Sequence, residues 1–253
     1  MHMTAEHEDI SRTTTRFVAD EIQPCLAEWE EAGHLPLHDI FGGLAELGLL
    51  GIAKAESQGG LGLDASFQFC FAEALGSSLA GRLAAAVAEQ TDRATPALAR
   101  FGADELQEEF LLPAVAGEQV AVLAAPSSTQ GTQGPGIQAR IDGGDYLLHG
   151  RSDWIAHAAQ ADWACVWARE ESSAGGSLIL LPLECPGVER EEGTESRYQP
   201  AWGRARLHLE GVRVERSFLI GESGQALSYL QLQALEEHIF RAASLLGGAQ
   251  RLL

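Results

Sequence analysis

The sequence predicts an α+β protein: an N-terminal helical domain, a middle antiparallel β-barrel-like domain and a C-terminal helical segment. Three observations predict it. Apolar residues recur every three or four positions through residues 11–117. Short alternating or wholly apolar runs, separated by turn residues, replace that spacing over 119–220. The three-to-four spacing then returns and holds to the last residue. The expected divisions are 1–118, 119–225 and 226–253. At 253 residues, with 45% hydrophobic content, the chain is long enough for one large core or two smaller ones.

The first helix is read from "RFVADEIQPCLAEWEE", where Val18, Ile22, Cys25 and Trp29 fall on one face and Pro24 predicts a bend or break. Pro36 suits a helix-opening position for "LPLHDIFGGLAELGLLGI", with Ile40, Leu44 and Leu47 as its stripe. "SQGGLGLD" at 57–64 reads as a loop whose Asp64 caps the next helix, which turns Phe67, Cys70, Phe71, Ala74 and Leu75 inward. The "GGLG" within it lacks the GxGxxG spacing of a phosphate cradle, so a tight turn is expected. "GADELQEEFLLPAVAG" gives a shorter helix on Leu106, Phe110 and Leu111, stopped by Pro113 or Gly117.

Strands are expected in "EQVAVLAAP", "IQARIDGGDYLLHG", "ADWACVWARE", "GGSLILLPLE" and "RARLHLEGVRV". "DGG" at 142–144 reads as a hairpin turn and "TQGTQGPG" at 129–136 as a loop. The last helix carries Leu230, Ala234, Ile239, Ala242, Leu245 and Leu246. Its further leucines, Leu232, Leu235, Leu252 and Leu253, surround more of it than one neighbour covers, so self-association or docking on another subunit is expected.

Composition excludes several functions. A formal net charge of −19 repels nucleic acid phosphates. No apolar run is long enough to span a bilayer, and "MHMTAEHEDI" lacks a signal-peptide core, so a cytoplasmic protein is expected. Cys25, Cys70, Cys165 and Cys185 form no CxxC, and the histidines form no HxxxH pair. Reduced thiols packed as small hydrophobes are expected, with no metal site.

In this order the segments "EIQPCLAEWEEAGHLP", "LAELGLLGI", "QGGLGLD", "RFGADELQEEFLLPAVAGEQ", "GVRVERSFLIGESGQA" and "FRAASLLGGAQ" resemble the acyl-CoA dehydrogenase family across nearly the whole chain. The resemblance implies that family's fold, with a C-terminal four-helix domain of which only the start is present. It also implies FAD-dependent α,β-dehydrogenation of an acyl-CoA thioester, in which a glutamate takes the α-proton and FAD accepts the hydride. The family's glutamate is expected beyond residue 253, so no catalytic residue is assigned. An electron-transferring flavoprotein is the electron acceptor that the resemblance implies.

The flavin positions are where the likeness weakens. The family's Trp-Ile-Thr/Ser turn, which walls the flavin, matches Trp154-Ile155-Ala156, with alanine at the hydroxyl position. Its Leu-Thr-Glu-Pro segment matches Leu123-Ala124-Ala125-Pro126, and the serine of the following Gly-Ser-Asp falls on Gln130. A third segment, Gly-Leu-Arg-Gly-Ser, falls on Gln199-Pro200-Ala201-Trp202-Gly203. The arginine near the start of the last helix, on the substrate side, falls on His238. Ser127, Ser128 and Thr129 offer replacement hydroxyls only if the loop shifts register. FAD binding by this chain alone is therefore expected to be weak or absent. Three readings follow: a degenerate subunit of a heteromeric acyl-CoA dehydrogenase, a truncated ordinary flavoenzyme, or a non-catalytic scaffold on the same fold. Substrate chain length is not legible.

Overall fold

The computed structural model of the protein describes residues 3–78, 81–126, 136–171, 173–193 and 203–253. The chain begins with α1 (Ala5–Phe17), which widens into a π-helical turn at Val18–Ile22. Pro24 lies just beyond, and the helix restarts as α2 (Leu26–Ala32), so the proline marks a break. Next come α3 (Leu37–Glu46), α4 (Ala65–Gly76), α5 (Gly81–Ala88) and α6 (Pro96–Phe101). The last helices before the sheet are α7 (Asp104–Leu106) and α8 (Leu112–Val115). The expected stripes are inward-facing at Val18, Ile22, Ile40, Leu44, Phe67, Cys70, Phe71, Ala74, Leu75, Leu106, Phe110 and Leu111. Three expected positions are not buried: Leu47 is 42% exposed, because α3 ends at Glu46 and the chain turns there, and Cys25 and Trp29, at and beyond the break after Pro24, are only half-buried.

The glycine loop is a turn with no donors left for a phosphate. Backbone carbonyls take the amides of Gly59, Gly60, Leu61, Gly62 and Leu63 at 2.8–3.1 Å. Asp64 caps α4 by accepting from the Ser66 amide at 2.7 Å.

The eight strands are β1 (Ala121–Ala124), β2 (Ile137–Asp142), β3 (Asp145–Arg151), β4 (Trp163–Glu170), β5 (Ser173–Pro182), β6 (Val188–Glu192), β7 (Ala205–Val214) and β8 (Leu219–Ile220). They form one sheet in the order β6-β7-β3-β2-β4-β5-β8, with β1 also on β4. β2 and β3 meet through the two-residue turn Gly143–Gly144, whose φ values of 65° and 108° are easy for glycine alone. The sheet is mixed: β1 and β2 lie end to end along one edge of β4, both parallel to it, with Ala121 opposite Trp163 and Ile137 opposite Ala168.

β4 and β5 are buried on both faces, which is why they read as apolar runs with little alternation. Trp163, Cys165, Trp167, Leu178 and Leu180 enter a core with Leu98, Phe110 and Leu111 of the helices. Their neighbours Ala164, Val166, Ala168, Ile179 and Leu181 enter the larger core with β3, β7 and the remaining helices. Two strands have no hydrophobic signature. β6 is an edge strand, and its "VEREE" charges discourage pairing with another chain. β8 is two residues long.

The final helix, α9 (Ala226–Leu252), buries Ala226, Gln233, Phe240, Ala243 and Gly247, a seam with a period near seven. It packs on α4, where Phe71 and Phe240 meet edge to face at 6.1 Å. The stripe expected for this helix is not its buried face: Leu230 and Ala234 are half-buried and Ile239, Ala242, Leu245 and Leu246 are exposed, because the close approach to α4 takes Ala243 and Gly247 beside Phe240. Leu232, Leu235 and Leu252 of the same helix face solvent as well.

Candidate functional site

β1 ends in the buried pair Leu123 and Ala124. One edge of this short strand pairs with β4, and the other meets the π-helical turn Glu89–Ala94 that links α5 to α6. Side chains complete that edge. Glu89 Oε1 accepts from the Leu123 amide at 2.8 Å, and Gln90 Oε1 accepts from the Ala121 amide at 2.7 Å. Gln90 also donates to the carbonyls of Ala114 and Gln119 at 3.0 and 2.8 Å. Backbone amides that would otherwise be buried without partners are thereby satisfied.

Arg93 stands 2.7 Å from the other oxygen of Glu89 inside the fold. Burial, the largest influence, pushes its carboxyl up; Arg93 and the Leu123 amide pull it back. Arg93 faces Glu237 of α9 at 3.6 Å, and Glu237 pairs with Arg241 at 2.7 Å. Charges of alternating sign thus run from the β1 edge to the last helix. Sequence reading did not find this row, because "AEQTDRA" breaks the apolar spacing and signals neither a strand nor a motif.

The turn at Trp154–Ile155–Ala156 follows β3. Ile155 exchanges backbone hydrogen bonds with Ala205 of β7 at 2.9 and 3.0 Å, which fixes the turn against the sheet. Ser152 secures it from the other side, accepting from the Leu207 amide at 2.9 Å. Trp154 is 37% exposed and Ala156 is exposed. Two guanidinium groups cover the indole: Arg204 at 5.0 Å and Arg206 at 4.5 Å from its centroid. Their buried Nε atoms have no hydrogen-bond acceptor among the described residues, although Arg206 reaches Glu191 at 3.9 Å through another nitrogen.

These residues do not fit a flavin ring. The methyl groups of Ala124 and Ala156 supply no donor to its polar edge. The indole that would wall it carries two guanidinium groups. Gln130 and Ser127–Thr129 lie outside the described residues, as do Gln199–Trp202. His238 is exposed on α9 and shares no hydrogen bond or ion pair with the Trp154 turn among the described residues. The four cysteines are free thiols, and no group of metal-ligating side chains occurs among the described residues. Among the described residues no helix is long and apolar enough to cross a membrane.

His157, next to the turn, is buried with φ +64°, an unusual conformation for a side-chain-bearing residue. Burial, helped by Arg82, pushes its imidazole down to about 4. Unfolded, it takes up a proton near about 6.5; folded, it does not until about 4. Its contribution is therefore intact above the unfolded value and is lost as pH falls between the two. The expected loss is about 3 kcal/mol. Urea unfolding at pH 7 and pH 4 checks this against His157→Asn, which tolerates the same backbone conformation and lacks the titration. The wild type should lose about 3 kcal/mol more than the variant.

The model for the N-terminal domain of acyl-CoA dehydrogenases matches residues 4–118. Benzylmalonyl-CoA dehydrogenase of Aromatoleum aromaticum is 30% identical over 257 residues, covering 99% of this chain and 67% of its own length. The mitochondrial long-chain specific acyl-CoA dehydrogenase of Sus scrofa is 28% identical over 247 residues, covering 94% of this chain and 56% of itself. The crystal structure of an acyl-CoA dehydrogenase from Geobacillus kaustophilus has the same fold, with a TM-score of 0.89 at 23% identity; the match covers 99% of this chain and 67% of that one. The chain spans 56% and 67% of the length of these two curated relatives.

Proposed function

Because the chain belongs to the acyl-CoA dehydrogenase family, we propose that it serves FAD-dependent α,β-dehydrogenation of an acyl-CoA thioester as a degenerate subunit of a heteromeric assembly. The observation that carries this reading is the Trp154 turn. Its hydroxyl position is Ala156, and Arg204 and Arg206 lie over the indole. A homologous subunit then holds the flavin, and this chain contributes surface and shape to the assembly. The electrons pass from that subunit to an electron-transferring flavoprotein. Each missing donor removes a hydrogen bond of roughly 0.5–1.5 kcal/mol, and more where it meets charge.

The exposed leucines of α9 support association. Leu232, Leu235 and Leu245 are 60%, 66% and 69% exposed on one helix. Covering a leucine is worth roughly 1.5–3 kcal/mol, so a homologous helix laid against this face has a strong drive to bind. The reading is tested by visible flavin absorbance and light scattering on the purified chain. Little or no bound FAD, and a mass above a monomer, are expected. Stoichiometric FAD on the chain alone would instead identify a flavoenzyme in its own right.

A further inference from the structure

A cavity of about 290 Å³ lies between the loop after α3, α4, the π-helical turn Glu89–Ala94, α6 and α9. None of its lining residues belongs to β1 or to the Trp154 turn. Its lining includes the apolar side chains of Leu63, Phe69, Ile239 and Phe240 and the charged ones of Lys54 and Asp92. Arg100 and Glu236 pair at 2.5 Å on its lining, tying α6 to α9.

Lys54 and Asp92 differ in how they are satisfied. Both oxygens of Asp92 are taken: Gln68 donates to one at 2.7 Å and Thr91 to the other at 2.6 Å. Lys54 donates to the Thr91 carbonyl at 3.0 Å and forms no ion pair among the described residues. An ammonium has three donors, so this one keeps capacity for an acceptor. Lys54 is therefore the lining cation with donors to spare, among apolar lining residues. A volume near the lower end for ligand pockets limits the guest to a small one.

We propose that this cavity is a binding site for a small monocarboxylate with a short apolar tail, its carboxylate on Lys54 and its tail against Phe69, Ile239 and Phe240. The charge balance agrees. Burial pushes the Lys54 ammonium down to about 8, with Asp92 and Glu236 opposing the fall and Arg100 adding to it. Burial pushes Asp92 up to about 7, against the pull of Thr91 and Lys54 and with the push of Glu236 and Glu237. Below these values the cavity gains positive charge, and a bound carboxylate holds the proton on Lys54. Binding therefore weakens as pH rises, by roughly tenfold between pH 7 and pH 9 as Lys54 loses its proton.

Calorimetric titration of the full chain with hexanoate at pH 7 tests the site. Saturable binding is expected, roughly tenfold tighter than for hexanol, which lacks the charge, and for acetate, which lacks the tail. Lys54→Met should weaken hexanoate by roughly tenfold and leave hexanol unchanged. If that variant does not fold, the hexanoate-to-hexanol ratio and the weakening at pH 9 on the wild type decide. Absence of saturable hexanoate binding, equal affinity for hexanol, or binding that Lys54→Met leaves intact would each overturn the proposal.

Discussion

Gly76→Ala and Gly247→Ala are each expected to lower the melting temperature by roughly 6–12 °C, the equivalent of about 3 kcal/mol or more. These glycines mark the closest approach of α4 and α9. A methyl group on Gly76 would stand 1.8 Å from the Ser244 carbonyl oxygen, and one on Gly247 would stand 1.9 Å from that of Glu73. Both obstacles are backbone, so no side-chain rotation relieves them and the helices must separate. Separation uncovers Phe71 and Phe240, whose edge-to-face contact closes this part of the core. The double variant should cost less than the sum of the two, because one displacement relieves both clashes. Gly42→Ala, in α3 with open space around it, is the matching control; it should be neutral or stabilise by up to about 1 kcal/mol. Differential scanning calorimetry reads all four.

Arg93→Met is expected to destabilise the fold by about 3 kcal/mol at pH 7. It strands Glu89, a carboxylate 5% exposed, without the cation 2.7 Å away. Glu89 cannot withdraw, because its other oxygen holds the Leu123 amide. Glu89→Gln keeps that acceptor and removes the charge, so the pair of substitutions should recover most of the loss. The single variant should also recover as pH falls, since protonation neutralises the stranded carboxylate. Urea unfolding midpoints at pH 7 and pH 5 measure both effects. A double variant as unstable as Arg93→Met would show that Arg93 acts through Glu237 or by packing.

The inward faces of α3 and α4 were legible because they are apolar at helical spacing; the stripe from Phe67 to Leu75 is a clear instance, whereas the face α9 buries is built on Ala243 and Gly247 and was hidden by the leucines around it. The two-sided burial of β4 was not, since an apolar run such as "WACVW" carries no mark of which neighbour is parallel. β6 escaped notice because an edge strand is protected by the charges that disguise it. Glu89, Gln90 and Asp92 are buried polar residues, and they stay buried because β1, Arg93, Thr91 and Gln68 satisfy them; those partners are distant in sequence or outside any pattern. The Trp154 turn was recognisable only through its likeness to a family segment. In "RARLHLE" the alternation puts Arg204 and Arg206 on one face, but which side chain lies beneath them needed the fold.

Co-expression with a full-length acyl-CoA dehydrogenase homologue from the same genome tests the central claim most directly, with flavin per chain and acyl-CoA oxidation measured on the purified complex. The account predicts that the two chains co-purify, that FAD is present at one per homologue and none per copy of this chain, and that acyl-CoA oxidation depends on both. Full FAD on this chain when purified alone, or oxidation by it without a partner, would contradict the account.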